Sequence, residues 1–160
     1  MAIWQFTTYL IPESACTADG TLPGLSVTED GFKLSRLRFA NSPEQLENLV
    51  ADVLPPEKSW HKDLRAFGCV TSHDIQLWYE DGELSEAQVR IDLREVTRAY
   101  VTQIVKLAHD TRCLFFDLET QRVLPADDKA LITAIQQSRA AKFVRDPRGF
   151  IESLSTEAAD

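Results

Sequence analysis

The spacing of apolar side chains changes twice between residues 74 and 118, and each change marks a different structural element. Residues 86–93 alternate between apolar and polar types. This predicts a strand with one packed and one solvated face, as in an antiparallel sheet covered by helices on a single side. The apolar set is Ala87, Val89, Ile91 and Leu93, and the polar set is Glu86, Gln88, Arg90 and Asp92. Residues 75–79 predict a preceding strand, joined to this one by a turn at Asp81-Gly82.

A helical period follows the alternating strand. Asp92 and Glu95 resemble a capping pair, and the apolar residues after them predict a helix that ends near His109 and Asp110. The apolar stripe of this helix consists of Val96, Tyr100, Ile104 and Leu107. Residues 114–118 are almost continuously apolar, which predicts a strand in the interior of the sheet.

The first half of the chain predicts two more strands and a long connection. Residues 3–11 are rich in β-branched and aromatic types with weak alternation, so they predict an interior strand that ends at Pro12. Residues 14–41 predict a long irregular connection with one short strand at 32–39. Residues 66–70 predict a further strand before the hairpin.

Three more helices are predicted from signals at their N-termini. Each has a side chain that can cap the first turn, and two of them also have proline at the first helical position. The signals are Ser42-Pro43 with Gln45, Asp127, and Asp146-Pro147. The last turn of the helix that begins after Asp127 and the linker beyond it are expected to be basic. Their cations are Arg139, Lys142 and Arg145.

These elements together predict one α+β domain over residues 1–154, followed by a frayed C-terminal tail at 155–160. We expect an antiparallel or mixed sheet of about five to six strands, with helices packed mainly on one face. Val89 lies on the packed face of its strand in this arrangement and is therefore expected in the core.

The charge balance limits the class of partner. The 160 residues include 17 Lys and Arg against 25 Asp and Glu, which gives a net charge of -8. Such a charge repels phosphate backbones at a distance, so we expect a basic protein and no nucleic acid as partner. A negative charge that serves solubility alone is the alternative explanation.

The cysteines and the N-terminal segment predict a cytoplasmic protein. Cys16, Cys69 and Cys113 are widely spaced without a C-x-x-C pair, as expected of reduced thiols. Cys69 and Cys113 stand in apolar runs and are expected in the core, whereas Cys16 is expected at the surface. Residues 1–11 have no basic region and no apolar stretch long enough for secretion or membrane spanning, so no membrane association is expected.

Candidates for catalysis or cofactor binding are few. His61, His73 and His109 lack the i, i+3 or i+4 spacing with which a helix presents two ligands to one metal. No serine stands in a G-x-S-x-G motif, and no glycine cluster precedes a helix with a lysine near its start. We therefore expect no catalytic residue, no metal and no cofactor.

The candidate binding residues gather around the predicted hairpin. Its acidic tip could steer a basic partner, and a tryptophan beside arginine is typical of the residues that dominate binding energy at interfaces. The predicted partner-binding residues are Trp78, Glu80, Asp81, Glu83, Glu86, Arg90 and Asp92. A solvated turn, and a second core layer that includes Trp78, are the alternatives. Trp4 and Trp60 are expected to be packing anchors.

Two short runs carry a resemblance to known proteins. They are Trp78-Tyr79-Glu80-Asp81-Gly82 and Val89-Arg90-Ile91-Asp92-Leu93-Arg94. The pattern, within about residues 59–154, resembles a group of small, mostly uncharacterised bacterial proteins. Some of these are similar to immunity proteins, which bind and neutralise a cognate toxin inside the producing cell. The resemblance implies an inhibitory binding protein.

The sequence leaves three functions open. The leading hypothesis is a non-catalytic acidic binding protein, specifically an immunity-type inhibitor of a basic toxin. The first alternative is a small enzyme with a site assembled from dispersed residues such as Asp92, Arg90 and His73. The second is a self-associating structural or regulatory domain that uses the half-exposed sheet as a homodimer surface.

Overall fold

A seven-stranded antiparallel sheet forms the centre of the molecule, in the computed structural model that describes residues 2–28, 31–34 and 37–159. The bounds of its strands are β1 Gln5–Pro12, β4 Pro56–Glu57, β5 Leu64–Gly68, β6 Asp74–Glu80, β7 Glu83–Asp92, β8 Cys113–Asp117 and β9 Arg122–Leu124. Their spatial order is β4-β5-β6-β7-β1-β8-β9. The predicted α+β class is confirmed, with a strand count slightly higher than expected.

A separate two-stranded sheet, five α-helices and a short 3-10 helix at Glu13–Ala15 complete the fold within the described residues. The two strands, β2 Leu25–Thr28 and β3 Gly31–Leu34, pair antiparallel. The helices are α1 Pro43–Ala51, α2 Arg98–Asp110, α3 Asp128–Gln137, α4 Arg139–Arg145 and α5 Pro147–Ala159. The strand expected at 32–39 overlaps β3 only at its start, and residues 35–36 lie outside the described residues.

The main hydrophobic core lies between the sheet and the helices on one of its faces. Phe6 and Leu10 of β1, Val89 of β7 and Phe115 of β8 contribute to it from the sheet. Helices α1 to α4 supply the opposite layer, with α2 contributing most of the buried side chains. Strand β1 lies between β7 and β8, and β8 lies between β1 and β9. Both strands are therefore interior, as predicted.

The second face of the sheet is also covered, by the connection between β1 and α1. Tyr9, Ile11 and Phe116 are buried there and pack against apolar side chains of that connection. The described apolar partners include Ala15, Cys16, Leu22, Leu25 and Leu37. The expectation of a solvated second face is therefore wrong for this part of the sheet, because the long connection folds back over it.

Local signals located most helix starts. The capping box of Ser42 and Gln45 is present at α1, and Asp127 accepts a hydrogen bond from the Ala130 N–H at α3. The capping pair expected at Asp92 and Glu95 is wrong, because α2 begins only at Arg98 with Thr97 as its N-cap. The basic linker after α3 is itself helical and forms α4.

The final helix continues to Ala159, and fraying of the tail from residue 155 stays a prediction. Within the described residues, no helix has both the length and the apolar content needed to cross a membrane.

Candidate functional site

The tip of the β6–β7 hairpin presents three exposed carboxylates. Asp81 and Gly82 have φ angles of 53° and 80°, so the two strands are joined by a two-residue turn with left-handed backbone at both positions. Such a turn matches the twist of the flanking strands. Glu80 and Glu83 stand directly opposite each other across the turn. None of the three carboxylates forms an ion pair or hydrogen bond with another described residue.

The hairpin is anchored to the body of the protein below its tip. The hydroxyl of Tyr79 donates a hydrogen bond to Glu47 of α1 at 3.1 Å, and Leu84 is buried in the main core. The strand register shifts between Trp78 and Tyr79, and the Ser85 hydroxyl donates to the Trp78 carbonyl oxygen at 3.1 Å. This bulge was not predicted, since alternation within one strand contains no information about its partner. The exposed tip is therefore held in a defined position.

Glu86 differs from the other acidic residues of the hairpin because it is half-buried. It stands opposite Trp78 in the β6–β7 pairing. Its carboxylate forms no hydrogen bond or ion pair with the described residues. Burial raises the pKa of the Glu86 carboxyl above its ordinary value. A cation placed here would relieve the unfavourable burial of a charged carboxylate.

Trp78 is half-buried and forms part of an aromatic cluster beside Glu86. Its indole N–H donates to the Gln76 side-chain oxygen at 3.2 Å. The ring of Trp60 meets Trp78 edge to face, with centroids 6.5 Å apart, and His61 lies 5.5 Å away. Trp60 is 60% exposed, so its expected role as a packing anchor is wrong. We call Trp78, Glu80, Asp81, Glu83 and Glu86 the hairpin surface.

Arg90 does not belong to this surface, contrary to the sequence prediction. Only 7% of Arg90 is exposed, and its guanidinium binds the Asp74 carboxylate through two hydrogen bonds, one of them 2.6 Å long. Asp74 also accepts a hydrogen bond from the Gln76 side chain at 3.0 Å. All three side chains are buried. The two hydrogen bonds of this ion pair offset the free-energy cost of burying both charges.

Asp92 is also buried rather than exposed. Its carboxylate accepts hydrogen bonds from the backbone and the guanidinium of Arg94, including one of 2.7 Å. Burial tends to raise the pKa of Asp92, but the hydrogen bonds and charge of Arg94 hold it below its ordinary value. The Arg94 guanidinium in turn lies over the ring of Trp4, 4.1 Å from its centroid. Asp92 therefore has a structural role, in which it holds Arg94, and it does not face a partner.

His73 lies next to Asp92 and was not recognised as a structural residue from the sequence. Its Nδ1 accepts a hydrogen bond from the Asp92 backbone N–H at 2.9 Å, and its ring stacks on Tyr100 with centroids 4.1 Å apart. Gln5 binds the carbonyl oxygens of Val70 and Ser72 in the loop that carries His73. Burial lowers the pKa of His73, and it outweighs the opposite effect of nearby carboxylates.

This environment predicts that the contribution of His73 to stability depends on pH. Because the pKa is lower in the folded state, the unfolded chain binds more protons once the pH falls below about 6.5. The contribution is complete above that pH and is lost as the pH falls through the folded-state pKa. In His73→Asn the amide oxygen can accept the same hydrogen bond without titrating. The difference in unfolding free energy between parent and variant, measured by urea denaturation, should therefore shrink between about pH 7.5 and about pH 5.5. A constant difference would contradict this expectation.

Two of the three cysteines are placed differently from the sequence expectation. Cys113 is buried, and burial raises its pKa to about 11. Cys69 is exposed, so its assignment to the core is wrong. Cys16 is half-buried and packs against the buried residues on the second face of the sheet, so it is less exposed than expected. No group of three or more His, Cys, Asp or Glu side chains that could hold a metal ion occurs in the described part of the chain.

The structure thus divides the seven predicted binding residues into two sets. The five residues of the hairpin surface lie together near the β6–β7 turn, whereas Arg90 and Asp92 are buried with internal partners. Comparisons with family models, with curated proteins and with solved structures find no match for this chain. The hairpin surface is therefore the part of the described structure that points to a function.

Proposed function

We propose that this protein is a non-catalytic acidic binding protein, an immunity-type inhibitor that neutralises a basic protein toxin through its hairpin surface. The observation that carries the proposal is the set of three exposed carboxylates at the turn, none of them paired within the described residues. A cationic partner would supply the missing charges.

The geometry of the hairpin supports recognition of a folded partner. The tight turn and the contact of Tyr79 with α1 hold the carboxylates in place before binding. Less conformational entropy is then lost on association than with a mobile acidic tail. The net charge of -8 should also accelerate the encounter with a basic protein at low salt.

The alternative functions receive less support from the same structure. An enzyme built on Arg90, Asp92 and His73 would need these groups to face a substrate. The guanidinium of Arg90 is bound to Asp74, the carboxylate of Asp92 is bound to Arg94, and the Nδ1 of His73 already accepts a hydrogen bond. Self-association would use the exposed face of the sheet. That face is smaller than expected, because the connection before α1 covers part of it.

Affinity capture from the protein's own cells tests the proposal directly. The tip variant combines Glu80→Lys, Asp81→Asn and Glu83→Lys; asparagine tolerates the left-handed backbone at position 81, and Glu86 is left unchanged because it is half-buried. A control variant with the same change in charge combines Glu57→Lys, Glu95→Gln and Glu152→Lys at exposed positions outside the hairpin. We expect a basic protein to be retained by the parent and the control but lost by the tip variant.

Two further measurements separate inhibition from simple adhesion. The affinity for the purified partner should fall as salt is raised, because exposed charges are screened within about 8 Å at physiological ionic strength. Expression of the partner alone should stop cell growth, and co-expression of the parent, but not of the tip variant, should restore it. Retention of the same partner by the tip variant, or a partner without toxicity, would contradict the proposal.

A further inference from the structure

The protein contains an internal example of guanidinium recognition. The Arg94 guanidinium lies 4.1 Å from the centroid of the Trp4 ring, and its N–H groups bind the Asp92 carboxylate at 2.7 and 3.0 Å. Carboxylate, guanidinium and indole therefore form one compact unit. The indole contributes a cation–π contact, and the carboxylate contributes charge-assisted hydrogen bonds.

The other two tryptophans are arranged with a carboxylate but without an arginine or lysine, and the imidazole of His61 lies 5.5 Å from the Trp78 ring. Trp78 and Glu86 are opposite each other in the strand pairing, so their Cβ atoms are near neighbours on one face of the sheet. The Trp60 ring stands at 73° to that of Trp78 and is largely exposed. No arginine or lysine of the described residues lies over either indole ring or pairs with Glu86. Two of the three components of the internal unit are thus present here.

We infer that an arginine side chain of the protein partner binds at this position, with its guanidinium against the indoles of Trp60 and Trp78 and its N–H groups on the Glu86 carboxylate. This inference rests on the proposed function and specifies the chemistry that the hairpin surface recognises. We call Trp60, Trp78 and Glu86 the arginine site.

The half-buried position of Glu86 favours binding of a cation. An exposed carboxylate without a partner is fully solvated by water, whereas the Glu86 carboxylate has lost part of its water and has gained no hydrogen bond from the described residues. The raised pKa of its carboxyl reflects the same lack of compensation. A bound guanidinium would remove this penalty, so the pair should contribute more than an exposed ion pair does.

Arginine suits this site better than lysine. Its guanidinium is planar and weakly hydrated, so it can stack on an indole and still direct two N–H groups toward a carboxylate. A lysine ammonium is a compact and strongly hydrated charge that cannot make the same pair of contacts. The contrast gives the inference a specific chemical test.

Indole N–H signals in NMR spectra of the 160-residue protein provide the measurement. The three tryptophans give three such signals. Trp4 is an internal reference because the Arg94 guanidinium already lies over its ring. The probes are end-capped peptides Gly-Gly-Xaa-Gly-Gly, in which Xaa is arginine, lysine or citrulline. We expect the arginine peptide to shift the signals of Trp60 and Trp78 while that of Trp4 stays in place. Equal shifts with lysine or citrulline, or no shift with arginine, would overturn the inference.

Two variants assign the binding to these side chains. Trp60→Ala removes a largely exposed ring and should leave the fold intact, and Glu86→Gln removes the charge at constant size. Each should weaken binding of the arginine peptide by about two- to fivefold or more, as expected for loss of a cation–π contact or a charged acceptor. Ile151→Ala, at an exposed apolar side chain of α5, is the matched control and should bind as the parent does.

The captured partner distinguishes failure of this inference from failure of the proposed function. If the tip variant loses the partner and Trp60→Ala binds it with unchanged affinity, the acidic binding function stands and the arginine site is wrong. If the tip variant and the arginine-site variants all bind as the parent does, the proposed function is wrong as well. A loss of affinity in Trp60→Ala and Glu86→Gln, but not in Ile151→Ala, supports the arginine site.

Discussion

Replacing Val89 by aspartate is expected to destabilise the protein strongly, so that it unfolds at a much lower urea concentration than the parent. Val89 is fully buried in β7 and faces the main core beneath the helices. The new carboxylate would have no partner there. It must either remain charged in an apolar site or bind a proton at a pH well above its ordinary pKa, and both cost free energy. We expect a loss of at least about 4 kcal/mol, which is much of a typical domain stability of about 5–15 kcal/mol.

Val70→Asp is the matched control for this prediction. It makes the same chemical change at a valine that is 45% exposed in the loop after β5. Its effect should stay within about 0.5 kcal/mol, as is usual for surface substitutions. Urea denaturation of both variants, followed by circular dichroism, checks the pair of expectations. A Val89→Asp protein that unfolds at the same urea concentration as the parent would show that the side-chain orientation along β7 is wrong.

The second large effect is expected at the buried ion pair of Asp74 and Arg90. Arg90→Met leaves the Asp74 carboxylate with little exposure to water and without its cation. Removal of one partner of a buried pair costs about 3–5 kcal/mol, most of it from the uncompensated charge that stays behind. We expect a loss of stability in this range, measured by urea denaturation at neutral pH.

Two controls separate the effect of charge from that of packing. Combining Arg90→Met with Asp74→Leu removes both charges, and it should recover at least half of the lost stability although Gln76 loses an acceptor. Arg148→Met makes the same substitution in the exposed pair with Glu152 and should cost no more than about 1 kcal/mol. If Arg90→Met and Arg148→Met were equally stable, the buried pair would have no special role in the sheet.

The buried polar side chains connect the interior of the sheet with the hairpin surface. The hydrogen bonds run from Arg90 through Asp74 and Gln76 to the indole N–H of Trp78. This chain crosses between β6 and β7 and fixes the orientation of the Trp78 ring. Polar networks in a low-dielectric interior are rigid when their members are paired. The Arg90 substitution should therefore also disturb the arginine site, although Arg90 does not touch the proposed partner.

Several features could be predicted from the sequence because they depend on residues close together in the chain. The Asp81-Gly82 turn joins the strands as expected, since both residues tolerate the left-handed backbone that the turn requires. The capping box at Ser42 forms for a similarly local reason, because its hydrogen bonds join residues three positions apart. The burial of Val89 followed from alternation along one strand.

The hairpin surface was partly predictable for the same reason. Glu80, Asp81 and Glu83 are exposed because a two-residue turn projects from the end of its sheet. The exposure of Trp60 could not be predicted, since an aromatic residue in a loop is consistent with either packing or solvent contact. Its approach to Trp78 depends on the pairing of β5 with β6.

The sequence by itself determined the α+β class, the hairpin, most of the caps and the packed face of β7, because each depends on local spacing or backbone preference. Only the tertiary structure decided that Arg90 and Asp92 are buried and that Glu86 stands beside Trp78 without a cation from the described residues. Alternation shows that two faces of a strand differ, but it contains no information about what covers the second face. That covering comes from segments far away in the chain, and the long-range contacts they form determine which charges stay in water.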